Sequence, residues 1–594
     1  MDRKSILILV GSFVLLMLWY PLMEKIYPPK PLPRTTNSVA AASNQLSPAT
    51  TVSNTGSTTT PARIDQTART NAPEVTLTMT NVQAVYTFTS HGGGLKLVEL
   101  RDYPLLVECD RTAAATNNRF ATLNNRALVP AFSMGGGEPP DGDGIYQLSR
   151  TETGVRAVKQ MPNGLQITKD FSPGSNHLFV AKIRIENTSA QPVALLRQEW
   201  VVGTATAMGE NDTLQMLGTF WNNGVKSEQI ADGWFANRAL GCLWSTPRAL
   251  FESDPGKAAW AAVHNQFFTL AVIPAKPASQ MVARRVVVPM GDLTNTAHAF
   301  VLTNGYQASL AYPPTVLAPK QSVEESFTVY AGPKEYKTLS RLGYQFNNNI
   351  DAVMNFGFFG FFAKSLLLVM NGLASFGMTY GWAIVTITVV IKLVFWPLTM
   401  ASTRSMKRMQ TLQPQMNAIK EKYKDDAVKM NQKTMEFMRE NKVNPLGGCL
   451  PMMLQIPVFI GFYTMIQSAI ELRGQSFLWA CDLSQPDTIF HVAGFPLNPL
   501  PLIYGATLLW SANLTPAAPG MDPAQQKIMK YMPVMFLVIL YNMASGLTLY
   551  WTVQNLLTIT QMKLTKTNDG KTPPAGKPSS PAAPVVPGKK KRPA

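Results

Sequence analysis

The stretch YGWAIVTITVVIKLVFWPLT, residues 380–399, decides how the rest of the chain is interpreted. It has the ~20 mostly apolar residues that a helix needs to cross a bilayer. It also carries one cation, Lys392, with Thr388 one turn earlier on the same face. A charge at membrane depth costs on the order of 3 kcal/mol, so it normally faces protein, water or a polar ligand. Lys392 lies about 10 Å from the end of the stretch and could also snorkel to the headgroups, so this helix alone leaves both interpretations open.

The composition indicates a membrane protein with more than one domain. The chain has 594 residues and a formal net charge of +17. A polar middle is flanked by an apolar N-terminus and a strongly apolar C-terminal third, and the basic excess beside apolar segments favours a membrane face over nucleic acid. None of the four cysteines belongs to a CxxC pair, so neither a zinc knuckle nor a thioredoxin-like site is indicated. No cofactor or metal is expected.

The N-terminal residues 1–26 predict an uncleaved transmembrane anchor. Two basic residues precede an uncharged apolar run, which ends in Trp, Tyr and Pro rather than in the small residues of a signal-peptide cleavage site. The positive end predicts a cytoplasmic N-terminus. Residues 27–72 are rich in Pro, Ser, Thr, Ala and Asn, and they predict a disordered periplasmic linker.

Residues 73–333 predict a large periplasmic all-β sandwich. Runs of alternating polarity, such as VTLTMT and LFVAKIRIEN, are separated by turns of Gly, Pro and Asn. His91 and His264 have no Cys, Ser or carboxylate at a catalytic spacing, so both are expected to be structural and no enzyme is expected. Cys109 and Cys242 would face an oxidising compartment, and the sequence leaves open whether they pair.

The remaining chain predicts a membrane core. Residues 334–379 form an interfacial region, with an amphipathic helix over 335–354 and an apolar segment that lies on the membrane or dips into it. Residues 380–562 form a five-helix core, which includes a cytoplasmic helical hairpin at residues 400–443, broken near 424–426. The predicted spans of the core are about 380–399, 450–468, 494–511, 529–544 and 547–561. Residues 563–594 form a basic cytoplasmic tail.

The topology follows from the placement of Lys and Arg. The hairpin is rich in both, so it is expected in the cytoplasm, whereas the β domain is expected outside. With the anchor, this predicts six transmembrane helices and both termini in the cytoplasm. The last two spans have about 16 residues, or roughly 24 Å, which predicts a locally thinned bilayer.

Three predicted spans place polar side chains at a similar depth. Lys392, Gln455 and Asn555 each lie about 10 to 12 Å from the cytoplasmic end of their span. Thr548, Thr552 and Asn555 share one helix face. Hydrogen bonds between helices satisfy amides and hydroxyls, but no Asp or Glu lies in any predicted span to pair with Lys392. The pattern therefore predicts a wet site that receives an acidic ligand.

Several segments together resemble the YidC/Oxa/Alb family of membrane protein insertases. They are NPLGGCLPMMLQIP (444–457), DPAQQKIMKYMP (522–533), SGLTLYWTVQN (545–555) and the stretch at 380–399. The resemblance covers most of the chain, from the anchor to the five-helix core. It implies a β-supersandwich in the periplasmic domain, and a core groove that opens to the cytoplasm and to lipid but is closed to the periplasm.

The resemblance also implies a set of groove residues. Family members often have arginine at the position of Lys392, and lysine keeps the charge but loses the bidentate fork. Trp551 stands where some relatives have tyrosine, so it keeps an aromatic face without the hydroxyl. With the residues found by spacing, the expected substrate-binding groove comprises Lys392, Thr388, Gln455, Tyr550, Trp551, Thr552 and Asn555.

The implied function is that of an insertase and chaperone for inner-membrane proteins, acting alone or with the Sec translocon. The expected partners are nascent membrane proteins, membrane lipids, and ribosomes and targeting factors that meet the basic hairpin and tail; no specific nucleic acid is expected. The sequence has no GxxxxGK[ST] motif, so ATP use of that kind is not indicated. Two alternatives stay open: a small-anion transporter or channel, and a membrane-anchored periplasmic carbohydrate-binding protein or enzyme.

Overall fold

The computed structural model describes residues 73–107, 119–135, 144–208, 214–239, 243–290, 301–441, 450–514, 531 and 534–564. The predicted anchor and linker, nearly all of the basic tail, and Cys109 and Cys242 lie outside these residues. Cys481 is disulfide-bonded, and it is the one cysteine among the described residues.

The chain divides into two compact units, each made of several segments. The first comprises Met1–Ile387, Pro457–Pro501 and Ile539–Leu549, and it contains the β domain. The second, called the helical unit below, comprises Thr388–Ile456, Leu502–Val538 and Tyr550–Ala594.

The described residues form strands β1–β24 and helices α1–α10. In chain order the strands span Thr76–Thr80, Ala84–Thr89, Gly94–Pro104, Phe120–Leu123, Met134–Gly135, Gln147–Arg150, Val155–Gln160, Leu165–Pro173, Leu178–Asn187, Val193–Leu195, Gln198–Ala205, Gly218–Asn222, Ser227–Ala231, Arg238–Ala239, Leu243–Ser245, Leu250–Glu252, Trp260–His264, Phe268–Pro274, Gln280–Met290, Val301–Tyr312, Thr315–Leu317, Ser322–Pro333, Phe490–Val492 and Phe495–Leu497. The helices span Asp232–Ala236, Tyr336–Phe346, Gly360–Ser375, Tyr380–Val394, Trp396–Thr411, Gln413–Lys422, Ala427–Glu440, Leu450–Ser468, Pro499–Leu514 and Ser545–Leu564, and residues 534–540 are also helical.

Among the described residues, three larger antiparallel sheets build the β domain, together with the two-stranded pairs β10-β21 and β14-β15. The strand orders of the larger sheets are β13-β12-β17-β18-β22-β9-β8-β7-β6, β16-β19-β20-β11-β5 and β1-β2-β3-β4. Strands β11, β17 and β18 are buried along their whole length, because the five-stranded sheet packs on the nine-stranded one there. Strand β8 instead alternates between buried and half-buried residues. The predicted all-β domain is therefore confirmed. The strands whose residues are all buried are those that are covered on both faces of their sheet.

A buried lysine ties the sheets together in the β domain. Lys169 on β8 is fully buried, and its Nζ donates to the carbonyl oxygens of Gly92 and Phe132 at 2.7 and 2.8 Å. The same ammonium lies 4.2 Å from the centre of the Tyr146 ring. A buried cation is tolerated only when hydrogen bonds satisfy it, so these contacts explain how a charge fits into this core.

The interfacial region is less regular than the sequence predicted. Helix α2 ends at Phe346, because Asn347 adopts a left-handed conformation with φ of 48°. The 3₁₀ turn Ile350–Met354 follows in place of the predicted continuous helix to residue 354. Helix α3, Gly360–Ser375, occupies most of the apolar segment beyond it.

The predicted continuous span at residues 380–399 is broken. Helix α4 ends at Val394 and α5 begins at Trp396, with a bend of 58° at the break. Pro397 lies in the first turn of α5, where its missing N–H costs nothing, but the same ring prevents α4 from continuing. Within the described residues, no single helix is both long and apolar enough to span a bilayer, and only α4 with the first part of α5 passes as a bent pair. The six predicted transmembrane helices are therefore not confirmed.

Two other predicted boundaries are wrong. The span predicted over residues 494–511 begins only at Pro499, because the preceding residues form the hairpin of β23 and β24. The last predicted span is not short, since α10 has 20 residues and a length of about 30 Å. The predicted break in the basic hairpin is observed, because α7 begins after Asp426, whose Oδ1 accepts a hydrogen bond from the Lys429 N–H at 3.0 Å.

Candidate functional site

Helix α10 organises the polar cluster of the helical unit. All seven predicted groove residues belong to this unit, and four of them, Tyr550, Trp551, Thr552 and Asn555, lie on α10. Polar and aromatic side chains of α10 meet residues of α4, α8 and α9, so the helix is the common element of the cluster.

Lys392 is buried against α10. Its side chain extends from the last turn of α4, only 4% of the residue is exposed, and its Nζ donates to the Thr558 hydroxyl at 2.8 Å. Thr388, one turn earlier on α4, is fully buried. Lys392 forms no ion pair with any described residue, so the cation is held by a neutral oxygen.

Gln455 and Tyr550 approach each other from α8 and α10. The Gln455 side chain is half-buried, and it lies beside the Tyr550 hydroxyl. Tyr550 itself is 1% exposed. The polar ends of two long side chains are therefore placed together in an otherwise apolar setting, which requires them to satisfy each other or a third polar group.

Helix α9 covers another part of α10. Asn555 Nδ2 donates to the Thr507 hydroxyl at 2.9 Å. The rings of Trp551 and Tyr504 are stacked, with centres 6.0 Å apart and an angle of 28° between their planes. Thr552, the remaining predicted residue, is also buried. This region combines amide, hydroxyl and aromatic groups, which suits contact with a polypeptide better than with a small inorganic ion.

Sequence reasoning missed several polar members of the cluster. Thr558 holds the lysine, and Gln561 Nε2 donates to the Thr399 hydroxyl at 2.6 Å. The Gln554 Oε1 atom is buried and has no hydrogen-bond partner among the described residues. Thr558 follows Asn555 at a same-face spacing of three residues, so the signal for Thr558 was present, but the predicted polar face stopped one turn too early. Gln561 lies six residues from Asn555, about 120° around the helix, so helical spacing could not have identified it.

The sequence predicted that the polar groups lie at one depth, but their contacts are spread along α10. Gln455 meets α10 at Tyr550, whereas Lys392 meets it at Thr558, eight residues further along. This separation is about 12 Å along the helix axis. The polar groups therefore follow the length of α10 over two turns, which suits an extended or helical peptide segment. Among the described residues, no group of three His, Cys, Asp or Glu side chains could hold a metal ion.

Two family models match the chain. Residues 76–369 match the YidC periplasmic domain, and residues 372–571 match the 60Kd inner membrane protein. Together these matches cover the β domain, the interfacial region and the polar cluster.

Curated relatives are similar over most of their length. The chain is 30% identical to the membrane protein insertase YidC of Syntrophus aciditrophicus (strain SB), with 94% of this chain and 98% of the relative covered. It is 33% identical to the membrane protein insertase YidC of Geobacter sp. (strain M21), with 81% and 83% covered. Among solved structures, an active YidC insertase crystal structure with its first transmembrane domain resolved is 18% identical, with a TM-score of 0.32, and 82% of this chain and 91% of that chain are covered.

Proposed function

Because the chain belongs to the family of the membrane protein insertase YidC, we propose that it inserts inner-membrane proteins by holding the polar or acidic N-terminal region of a nascent helix at Lys392. The family membership also removes the reason to treat the chain as an anion transporter or a sugar-binding protein. In the proposed orientation the β domain is periplasmic and both termini are cytoplasmic.

The state of Lys392 carries the proposal. A buried ammonium bonded to one threonine hydroxyl has unused donors, and burial penalises its charge. An incoming carboxylate would supply the counter-charge that no described residue supplies. The pairing with the substrate carboxylate is proposed to be transient. A permanent carboxylate within the protein would compete with the substrate for Lys392.

The lining of α10 supports the same role. The unpartnered acceptor of Gln554 and the amides of Gln455 and Asn555 offer both donors and acceptors to a peptide backbone. The buried Trp551 ring, stacked on the half-buried Tyr504, places flat aromatic surface beside these polar groups. A site of this kind accepts many sequences, which an insertase requires.

Exposed apolar side chains offer a path for the hydrophobic segment. In the helical unit, Ile456, Val534, Met535 and Val538 are 45%, 49%, 54% and 72% exposed. A segment that leaves water and slides along such a surface into lipid gains roughly 0.8 kcal/mol per buried CH₂ group. The membrane potential favours outward movement of an acidic tail by ~2.3 kcal/mol per charge per 100 mV.

The basic hairpin is proposed to meet the translation machinery. The exposed basic residues are Arg408 on α5, Lys422 at the end of α6, Lys424 in the turn that follows it, and Lys433 and Arg439 on α7. Clustered exposed cations attract ribosomal RNA phosphates or anionic lipid by the same electrostatic mechanism. Targeting factors and the Sec translocon are further proposed partners, on the strength of the family.

The test is a depletion strain that is complemented with variants, with insertion of a dependent substrate as the readout. Lys392→Glu is expected to lower insertion at least about tenfold, because a hydrogen bond to a charged group contributes ~1.5–3 kcal/mol. Lys392→Arg should retain activity, since it keeps the charge. Lys563→Glu is the matched control, because it makes the same charge change at an exposed lysine on α10.

A compensating change on the substrate sharpens the test. If the charge pairing is real, replacing the acidic residues of the substrate tail with lysine should restore insertion by the Lys392→Glu variant. Full activity of Lys392→Glu, or equal loss in the Lys563→Glu control, would contradict the charge role. Photocrosslinking of a stalled nascent chain from position 392 reports the contact directly.

A further inference from the structure

A small hairpin before α9 presents an apolar face that the proposed function does not use. Strands β23 and β24 pair Phe490 with Leu497 and Val492 with Phe495. Directly opposed residues lie on the same face of an antiparallel pair, so these four side chains form one apolar face. The other pair, His491 with Pro496, lies on the opposite face.

The apolar face is open. Phe490 is 52% exposed, Val492 56% and Phe495 60%. The tip is a tight turn in which Ala493 and Gly494 both have positive φ, of 49° and 83°. Bulky apolar side chains that are half or more exposed together on one face of a hairpin are costly in water, which indicates that something covers them.

The base of the hairpin is fixed. The Thr488 hydroxyl donates to Asn498 Oδ1 at 2.7 Å, and Asn498 Nδ2 donates to the Tyr541 carbonyl at 2.8 Å. The Tyr541 hydroxyl donates to the Pro496 carbonyl at 2.6 Å, and its ring lies against Phe495 with centres 5.1 Å apart. An isolated two-stranded hairpin is marginal in water, so these bonds hold the tip in place before any partner binds.

A second anchor connects the hairpin to the start of α9. Asp487 accepts hydrogen bonds through Oδ2 from the Trp479 indole at 2.9 Å and from the Leu500 backbone N–H at 2.6 Å. The carboxylate therefore sits at the N-terminus of α9, where the helix dipole favours it. The residue that precedes the hairpin is thus bonded to the first turn of an apolar helix.

We infer that the hairpin of residues 489–497 is a membrane wedge, whose apolar face embeds in the headgroup–acyl boundary of the bilayer. Residues 488–521 contain no Asp, Glu, Lys or Arg, whereas a protein-docking patch normally carries a charged or polar rim. Helix α9 follows within two residues, and its exposed side chains Leu502, Ile503, Leu509 and Trp510 are apolar. Phe and Leu side chains gathered on one face, without charges nearby, are typical of an element that lies in the membrane interface.

The inference is tested with a photoreactive benzophenone amino acid in the full-length chain. It is placed at position 490 or 492 on the apolar face, and at position 491 on the opposite face as the matched control. The protein is reconstituted in vesicles of phosphatidylethanolamine and phosphatidylglycerol, and lipid adducts are measured by mass spectrometry. Adducts at 490 and 492 should exceed those at 491 by about tenfold, because only one face of an interfacial element contacts acyl chains.

Position 492 provides a second reading if the larger side chain at 490 disturbs the hairpin. Equal lipid adducts at all three positions would overturn the inference. So would a crosslink from position 490 to a protein in native inner-membrane vesicles, since that result assigns the face to a protein partner. The result is independent of the role proposed for Lys392, because lipid adducts do not depend on substrate insertion.

Discussion

Lys334 is a buried cation without a counter-ion in the β domain, and its replacement gives a sharp test of the packing. The residue follows β22, is 4% exposed, and donates its backbone N–H to the Phe267 carbonyl at 2.7 Å. Burial lowers the pKa of Lys334 from 10.5 to about 7. No ion pair with a described residue offsets this burial.

The magnitude follows from the pKa. The lowering from 10.5 to about 7 corresponds to about 5 kcal/mol, at roughly 1.4 kcal/mol per pKa unit. Between pH 7 and pH 10.5 the Lys334 side chain carries a proton in the unfolded chain that it lacks in the folded chain, so the free energy of unfolding rises with pH. From pH 7 to pH 9.5 we expect the free energy of unfolding to increase by about 3 kcal/mol. Lys334→Met removes this dependence and should stabilise the domain by several kcal/mol at pH 7.

The chosen pH window separates Lys334 from its titrating neighbours. Burial, with the Lys334 charge as a smaller cause, lowers the pKa of His264 to about 3. A histidine with a lowered pKa destabilises the fold only as the pH falls below about 6.5. Burial raises the pKa of Tyr86 and Tyr103 to about 12, and this affects stability only above about pH 10. Neither effect enters between pH 7 and 9.5.

The assay is guanidinium unfolding of the full-length protein in detergent micelles, with pulse proteolysis to follow the β domain. The midpoint gives the stability change at each pH when the slope is unchanged. Lys337→Met, at an exposed lysine three residues further on, is the control and should leave both stability and its pH dependence unchanged. The reasoning is refuted if Lys334→Met keeps the wild-type pH dependence, or if it destabilises the β domain at pH 7.

Three further changes test other contacts. Thr558→Val removes the acceptor of Lys392 and should lower substrate insertion about tenfold, corresponding to ~1.5 kcal/mol for a hydrogen bond to a charged group, whereas Thr558→Ser should retain insertion. Unchanged insertion by Thr558→Val would show that the contact is incidental. Lys169→Met leaves two buried carbonyl groups without donors. It should lower the free energy of unfolding by about 2–4 kcal/mol in the same pulse-proteolysis assay. An unchanged free energy of unfolding would show that Lys169 does not hold the sheets together. Gly381→Val places a side chain onto the Phe477 ring and should reduce the folded yield in membranes, unless it is combined with Phe477→Ala.

Much of the β domain follows from local patterns. Alternating runs predicted strands over residues 73–333, and the observed strands run from Thr76 to Pro333. The same local reasoning failed at residues 494–498, because the second strand of a short apolar hairpin and the start of an apolar helix have the same composition. It also failed at Phe395, where the break depends on a single proline rather than on hydropathy.

The candidate site divides in the same way. Lys392, Gln455 and Asn555 were identified from the sequence because a polar group within an apolar run is visible without any structure. The partners of these residues were not identified from the sequence. The hydrogen bonds that α10 makes with α9 and α4 join residues that are 48 and 166 positions apart. Helical spacing restricts which residues share a face of one helix, but it does not state which helix that face meets.

Charge and composition are properties of the chain, so they are enough to establish that a cation lies in an apolar stretch with no acidic residue in the neighbouring predicted spans. The folded structure adds that Thr558 holds this cation, that polar groups follow α10 for about 12 Å, and that no described residue forms an ion pair with the buried Lys334. The physical reason is that burial and pairing depend on packing between distant segments, and periodicity within one segment carries no information about them.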